Sequence, residues 1–99
     1  MEYEVEQLDD FTTWLDELSD VRAKNRIIAR IERAKGGNFG DWSPEGGKVR
    51  AMVIDYGPGY RLYYTIRKKT IIILLCGGDK STQKADIKAA QMFEKELSK

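Results

Sequence analysis

The sequence predicts an α+β fold: a mostly antiparallel four-stranded sheet with two N-terminal helices and one C-terminal helix. Three observations carry this expectation. Apolar residues recur at spacings of three and four in two stretches before Gly36 and in one after Lys80. Between Val49 and Cys76 the pattern switches to strand-like runs, and glycine clusters at 36–37, 57–59 and 77–78 mark the boundaries.

The elements follow in order. Tyr3 and Val5 alternate with Glu2, Glu4 and Glu6, as on a short strand with one wet face. Phe11, Trp14, Leu15 and Leu18 then form the apolar stripe of a short helix, with Asp9 and Asp10 placed to cap its positive end. Ser19 is the expected cap of a second helix. Its stripe is Val21, Lys24, Ile27, Ile28 and Ile31, with Lys24 contributing its stem, and Gly36-Gly37 ends it. Asn38 to Gly47 reads as an ordered surface loop pinned by Phe39 and Trp42.

A meander of three strands comes next: Val49 to Ile54, Tyr60 to Ile66, and Thr70 to Cys76, the last apolar on both faces and therefore central. Gly57-Pro58-Gly59 and Arg67-Lys68-Lys69 are its turns. Gly77-Gly78 is expected to break the meander before a final helix from about Ser81 to Leu97, with Ile87, Ala90, Met92, Phe93 and Leu97 as its stripe. Helices on one side of such a sheet leave the other side free.

Length and composition bound the rest. The 99 residues form one expected domain, 1–99, and 41% hydrophobic content places it among globular chains. With one cysteine, Cys76, and no histidine, neither an internal disulfide nor a Cys/His zinc site can be assembled, and no cofactor is expected. The N-terminal residues lack the basic and apolar regions of a signal peptide, and the apolar run Ile71 to Cys76 is far below the ~20 residues of a membrane span, so the expected location is the cytoplasm, with no membrane partner.

Net charge is only +1, but residues 1–20 carry eight acids and no bases, whereas residues 21–35 carry six bases and one acid. From Lys48 to Lys84 eight bases stand against two acids. A polyanion partner suits that distribution, as does an ordinary solvated surface.

Alternation along the second strand of the meander places Arg61, Tyr63 and Thr65 opposite Tyr60, Leu62, Tyr64 and Ile66. Arg61 is expected on the free side, with Lys80 reaching it from the loop after Gly77-Gly78. An arginine fork and a mobile ammonium suit a phosphate together. RNA cleavage without metal or histidine would use the ribose 2′-hydroxyl as nucleophile, with Arg61 and Lys80 stabilising the phosphoryl charge. Asp79, Asp86, Tyr56, Tyr63 and Lys80 can each exchange a proton; equally, Asp79 can cap the final helix and Tyr63 can fill the sheet.

Phe11 to Leu15, Arg26 to Ile31, Gly37 to Asp41, Ile54-Asp55-Tyr56-Gly57-Pro58-Gly59-Tyr60-Arg61-Leu62-Tyr63-Tyr64 and Leu75-Cys76-Gly77-Gly78-Asp79-Lys80-Ser81-Thr82-Gln83, ending at Asp86-Ile87, together resemble the killer-protein branch of the RelE/HigB-like toxins. The resemblance implies a RelE-like fold, a messenger RNA endoribonuclease acting on the ribosome, and a cognate antitoxin as partner. It places the catalytic roles on Arg61 and Lys80, and Lys48, Arg50, Tyr63, Lys84 and Asp86 complete the candidate RNA-contacting set. Ala51 and Val53 stand where that branch commonly carries a glutamate and an arginine. Two readings stay open: an active nuclease, and a catalytically silent antitoxin-binding or RNA-binding protein whose defect lies at 51 and 53.

Overall fold

The computed structural model describes residues 2–99, so Met1, the first residue of the expected domain, lies outside the described residues. The elements are β1 (Glu4–Gln7), α1 (Asp9–Glu17), α2 (Val21–Lys35), β2 (Trp42–Pro44), β3 (Arg50–Ile54), β4 (Tyr60–Arg67), β5 (Ile71–Asp79), a 3₁₀ turn (Lys80–Thr82) and α3 (Gln83–Leu97). The α+β class and the three expected helices are present. The sheet has five strands rather than four, in the order β1-β5-β4-β3-β2, with β1 parallel to β5 and every other pairing antiparallel.

The extra strand lies inside the expected loop. Trp42, Ser43 and Pro44 pair with Met52, Ala51 and Arg50, and Gly46 and Gly47, both at positive φ, turn the chain into β3. Proline is tolerated there because β2 is an edge strand with no ladder beyond it. Helix ends also differ from expectation. Asp20, not Ser19, caps α2, its carboxylate accepting from the backbone N–H groups of Arg22 and Ala23. At α1 the cap position is Leu8 with no side-chain cap; Asp9 and Asp10 sit in the first turn, where their charge still favours the helix N-terminus.

Gly77-Gly78 does not end the meander. β5 runs on to Asp79 because these glycines allow close approach: a side chain at Gly77 would fall into the Trp14 ring, and one at Gly78 onto the Asp86 carboxylate. The three-residue connection between β4 and β5 turns at Lys68 and Lys69, at φ 53° and 63°, and is closed by the Thr70 N–H donating to the Arg67 carbonyl at 3.1 Å.

Both sheet faces carry a core. Phe11, Ala23, Ile27, Ile31 and Ala34 of α1 and α2 pack on Met52, Ile54, Tyr60, Leu62, Tyr64, Ile72 and Leu74. The opposite face was expected to be free, yet α3 covers part of it: Ala90, with Ile87, Phe93 and Leu97, meets Val49, Ala51, Tyr63, Ile73, Leu75 and Cys76. A bulge makes this possible. Tyr63 pairs with Cys76 and Tyr64 with Leu74, so the intervening Leu75 is extra, and both Leu75 and Cys76 join the α3 cluster.

Candidate phosphate-binding site

The open part of the α3 face is organised by two cross-strand rows. Val53, Arg61 and Gly78 lie side by side on β3, β4 and β5; next to them run Ala51, Tyr63 and Cys76, with Ser43 on β2 beside Ala51. Alternation forces this: the residues between, Leu62 and Met52, are fully buried under α1 and α2. Arg61 faces the side that the alternation predicted, but is half-buried there at the margin of α3.

Arg61 and Lys80 meet at Gly59. The β3–β4 turn is built on Gly57 at φ 57° and Gly59 at φ 80°, a conformation that side chains rarely adopt. The Arg61 Nη1 donates to the Gly59 carbonyl at 3.3 Å. A first side-chain carbon at Gly59 would sit 3.7 Å from Lys80 Cβ and 3.8 Å from Arg61 Nη1, so the Arg61 guanidinium and the root of the exposed Lys80 side chain lie on one glycine. Lys80 is exposed and shares an open depression of about 390 Å³ with Ser81, Gln83, Lys84 and Ile87. Among the described residues no ion pair includes Arg61, Lys80 or Lys84.

The other candidate residues divide. Asp79 caps the turn after β5: its carboxylate accepts from the Ser81 N–H at 2.8 Å and from the Ser81 hydroxyl, and those bonds hold its pKa below the usual carboxylate value. Asp86, half-buried above Gly78, accepts from the Thr82 hydroxyl at 2.6 Å. Tyr63 is fully buried and its hydroxyl has no hydrogen-bond partner among the described residues. Burial, then the nearby Asp86 charge, pushes its phenol far above the ordinary value, with Arg61 opposing, so at neutral pH it is a neutral side chain and no base. Burial and Asp86 likewise push the Cys76 thiol up to about 12, and its Sγ donates weakly to the Asp86 carbonyl, 3.7 Å away.

Two expected contacts lie elsewhere. Arg50 occupies the α1/α2 face, its guanidinium 4.9 Å above the Trp42 ring. Lys48 is exposed beside a separate cavity of about 250 Å³ lined by Gly46, Gly47, Val49, Gln91, Glu94 and Lys95. Both miss the site because β3 alternates and its N-terminal end points away from the Gly59 turn. Sequence reasoning also missed Ser43 and Glu45. The Ser43 hydroxyl donates to Glu45 Oε1 at 2.7 Å, and the Glu45 charge contributes to the raised Tyr63 pKa. Only Gly46-Gly47, a turn signal, marked the hairpin that brings them in; the three-residue strand before it shows no periodicity.

Ala51 and Val53 are ordinary sheet positions. Ala51 is fully buried in the α3 cluster. Val53 donates its N–H to the Asp41 carbonyl at 2.8 Å and accepts from Arg30 Nη1 at 2.6 Å, a fixed part of the β3 edge. Among the described residues no group of three or more His, Cys, Asp or Glu side chains is placed to hold a metal ion, and no helix is long and apolar enough to cross a membrane.

The comparisons correct the family expectation. The model of a family described as "Phage derived protein Gp49-like (DUF891)" matches residues 13–98. An uncharacterized protein of Haemophilus influenzae is 47% identical over 87 residues, which cover 88% of this chain and 88% of that protein. Most of the chain is thereby assigned away from the RelE/HigB-like toxins, and the toxin and antitoxin labels that came with that resemblance fall with it. The reading of Ala51 and Val53 as lost toxin residues falls with that resemblance.

Proposed function

We propose that this chain, which belongs to the Gp49-like family of phage-derived proteins, is a ribonuclease that holds the backbone of single-stranded RNA at Arg61 and Lys80 and cleaves it without a metal ion. The observation that carries this reading is that the Arg61 guanidinium and the root of the exposed Lys80 side chain share the turn at Gly59, with neither cation in an ion pair among the described residues. A guanidinium fork engages two phosphate oxygens, and a mobile ammonium follows the charge as it moves.

The chemistry suits RNA because its backbone carries its own nucleophile. The 2′-hydroxyl attacks phosphorus, the bond to the 5′-oxygen breaks, and the products are a 2′,3′-cyclic phosphate and a 5′-hydroxyl. Arg61 stabilises the charge that builds on the non-bridging oxygens. Of the five proton carriers weighed from the sequence, Asp79 is engaged in its cap, Tyr63 is sealed, and Tyr56 is stacked under Arg26 at 4.5 Å. Asp86 and Lys80 remain. Asp86 takes the 2′-hydroxyl proton and Lys80 donates to the leaving 5′-oxygen.

Labelled messenger RNA, naked and on translating ribosomes, is the substrate to test, in the presence of EDTA. Expected are cyclic-phosphate ends, no cutting at a position where deoxyribose replaces ribose, and a fall of about 10²-fold in kcat/KM for Arg61→Ala. Absence of cutting on both substrates at high protein concentration rejects the nuclease. A second reading, RNA binding without cleavage, is favoured by the fact that one Asp86 oxygen already accepts from Thr82. Retained RNA binding with no products would select it.

A further inference from the structure

The structure carries a second cationic surface that the Gly59 site does not use. α2 has six bases and one acid, and Arg22, Arg26 and Arg33, at spacings of four and seven, line one stripe. Arg30, on the same helix, is turned inward: it donates to the carbonyls of Val53, Phe39 and Asp41 at 2.6, 3.1 and 2.9 Å, clamping β3 and the preceding loop to the helix. Its pKa is lowered by burial and by the Arg33 charge beside it. Arg26 and Arg33 are exposed and border a cavity of about 250 Å³ that also meets Asp41 and Asp55. Neither carboxylate is within ion-pair distance of them among the described residues.

This surface is continuous with the Gly59 turn. Arg26 lies 4.5 Å over the Tyr56 ring, the Tyr56 carbonyl accepts from the Gly59 N–H at 3.1 Å, and Gly59 is the residue flanked by Arg61 and Lys80. One short turn therefore has cations on both sides. A strand of RNA bound on one side reaches the other by crossing the turn, past an arginine plane already stacked on an aromatic ring, the kind of surface on which a base stacks.

We propose that the RNA held at Arg61 and Lys80 continues over the β3–β4 turn onto α2, where Arg26 and Arg33 take the flanking phosphates. The occupant is single-stranded RNA and not an acidic protein, because the stripe runs into the phosphate site. This inference rests on the RNA reading of that site and assigns α2 to substrate grip, with no part in the chemistry.

The test uses two fluorescent 2′-O-methyl oligouridylates, which resist cleavage: a dodecanucleotide and a trinucleotide. Binding of each is measured against salt for the wild type, Arg61→Ala, and the double variants Arg26→Gln/Arg33→Gln and Arg26→Lys/Arg33→Lys. All changes on α2 are at exposed positions. Loss of two phosphate contacts should weaken the dodecanucleotide about 10-fold and reduce its salt slope by about 1.4, leaving the trinucleotide unchanged, while the lysine pair keeps the wild-type slope. If the glutamine pair binds the dodecanucleotide as the wild type does while Arg61→Ala weakens it, the α2 path is overturned, the phosphate site stands, and the face is free for an acidic protein. If the wild type binds neither oligonucleotide at low salt, the RNA reading falls and this inference with it.

Discussion

On the face covered by α1 and α2, Tyr60, Leu62 and Tyr64 of β4 are all buried, and the Tyr64 ring stacks on Phe39 with centroids 5.5 Å apart. On the α3 face, Tyr63 of the same strand is equally buried, but its neighbour Arg61 stands half exposed beside an open turn. The difference follows from dimensions. A helix with its side chains is about 10–12 Å across and strands are spaced about 4.8 Å, so one helix covers roughly two strands of a sheet. Two helices suffice for the first face. α3 alone packs on the second, where Ala51, Tyr63 and Leu75 are fully buried, and leaves the Val53–Arg61 margin half exposed, so the closed face carries stability and the half-covered face carries the candidate site.

The largest expected contrast is between core truncations on the two faces. Phe11→Ala, which empties a fully buried position under α1, should cost about 3–5 kcal/mol, whereas Ile87→Ala, half-buried on α3, should cost about 1 kcal/mol. Urea midpoints with unchanged slopes would measure both. Equal losses would mean that α3 seals its face as fully as α1 and α2 seal theirs.

Adjacent glycines sharpen the same comparison. Gly77→Ala drives a carbon into the Trp14 ring on the closed face and should destabilise by about 1–3 kcal/mol, which lowers Tm by about 4–8 °C for each kcal/mol in a domain of this size. Gly78→Ala meets only the ends of the Asp86 and Thr82 side chains. Those can swing away, so its stability loss should be under about 1 kcal/mol, while RNA cleavage falls because Asp86 is displaced. A Gly78→Ala protein that cuts RNA at the wild-type rate removes Asp86 from the mechanism.

The smallest effect concerns the Tyr63 hydroxyl. Tyr63→Phe deletes a buried group without a partner and should leave stability at neutral pH unchanged or raise it by up to about 1 kcal/mol. Its pH dependence has a definite sign. The folded-state pKa lies above the unfolded value of 10.0, so the unfolded chain releases the proton first and stability declines as pH rises above about 10. Cys76, raised to about 12 from 9.0, contributes in the same direction from about pH 9. Tyr63→Phe should therefore make the alkaline decline shallower; an unchanged decline would mean that Tyr63 is reached by water.

Much of the fold was legible because its signals are local. The Phe11, Trp14, Leu15 and Leu18 spacing, the alternation from Tyr60 to Ile66 and the turn at Gly57–Gly59 correspond to α1, β4 and the β3–β4 hairpin. β2 was not legible, since three residues with a proline among turn formers show too little periodicity to stand out. The cap of α2 was misplaced by one residue because Ser19 and Asp20 are both good caps, and only backbone geometry selects the second. In the site, the face of Arg61 followed from alternation. The face of Arg50, opposite Arg61, likewise follows from the alternation of Arg50, Met52 and Ile54 against Ala51 and Val53, so its place among the expected RNA contacts conflicted with strand phase.

By itself the sequence determined the element types, the two-faced character of β4 and the absence of histidine chemistry, because these depend on residue type and on periods of 2 and 3.6. Tertiary structure alone decided that β1 lies parallel to β5 and that α3 lands on the second face. The reason is that the first depends on pairing between strands far apart in the chain, and the second on where the chain crosses after β5. That crossing is set by the extra residue at Leu75 and by side-chain-free contacts at Gly77 and Gly78, whose consequences appear only when distant elements pack against them.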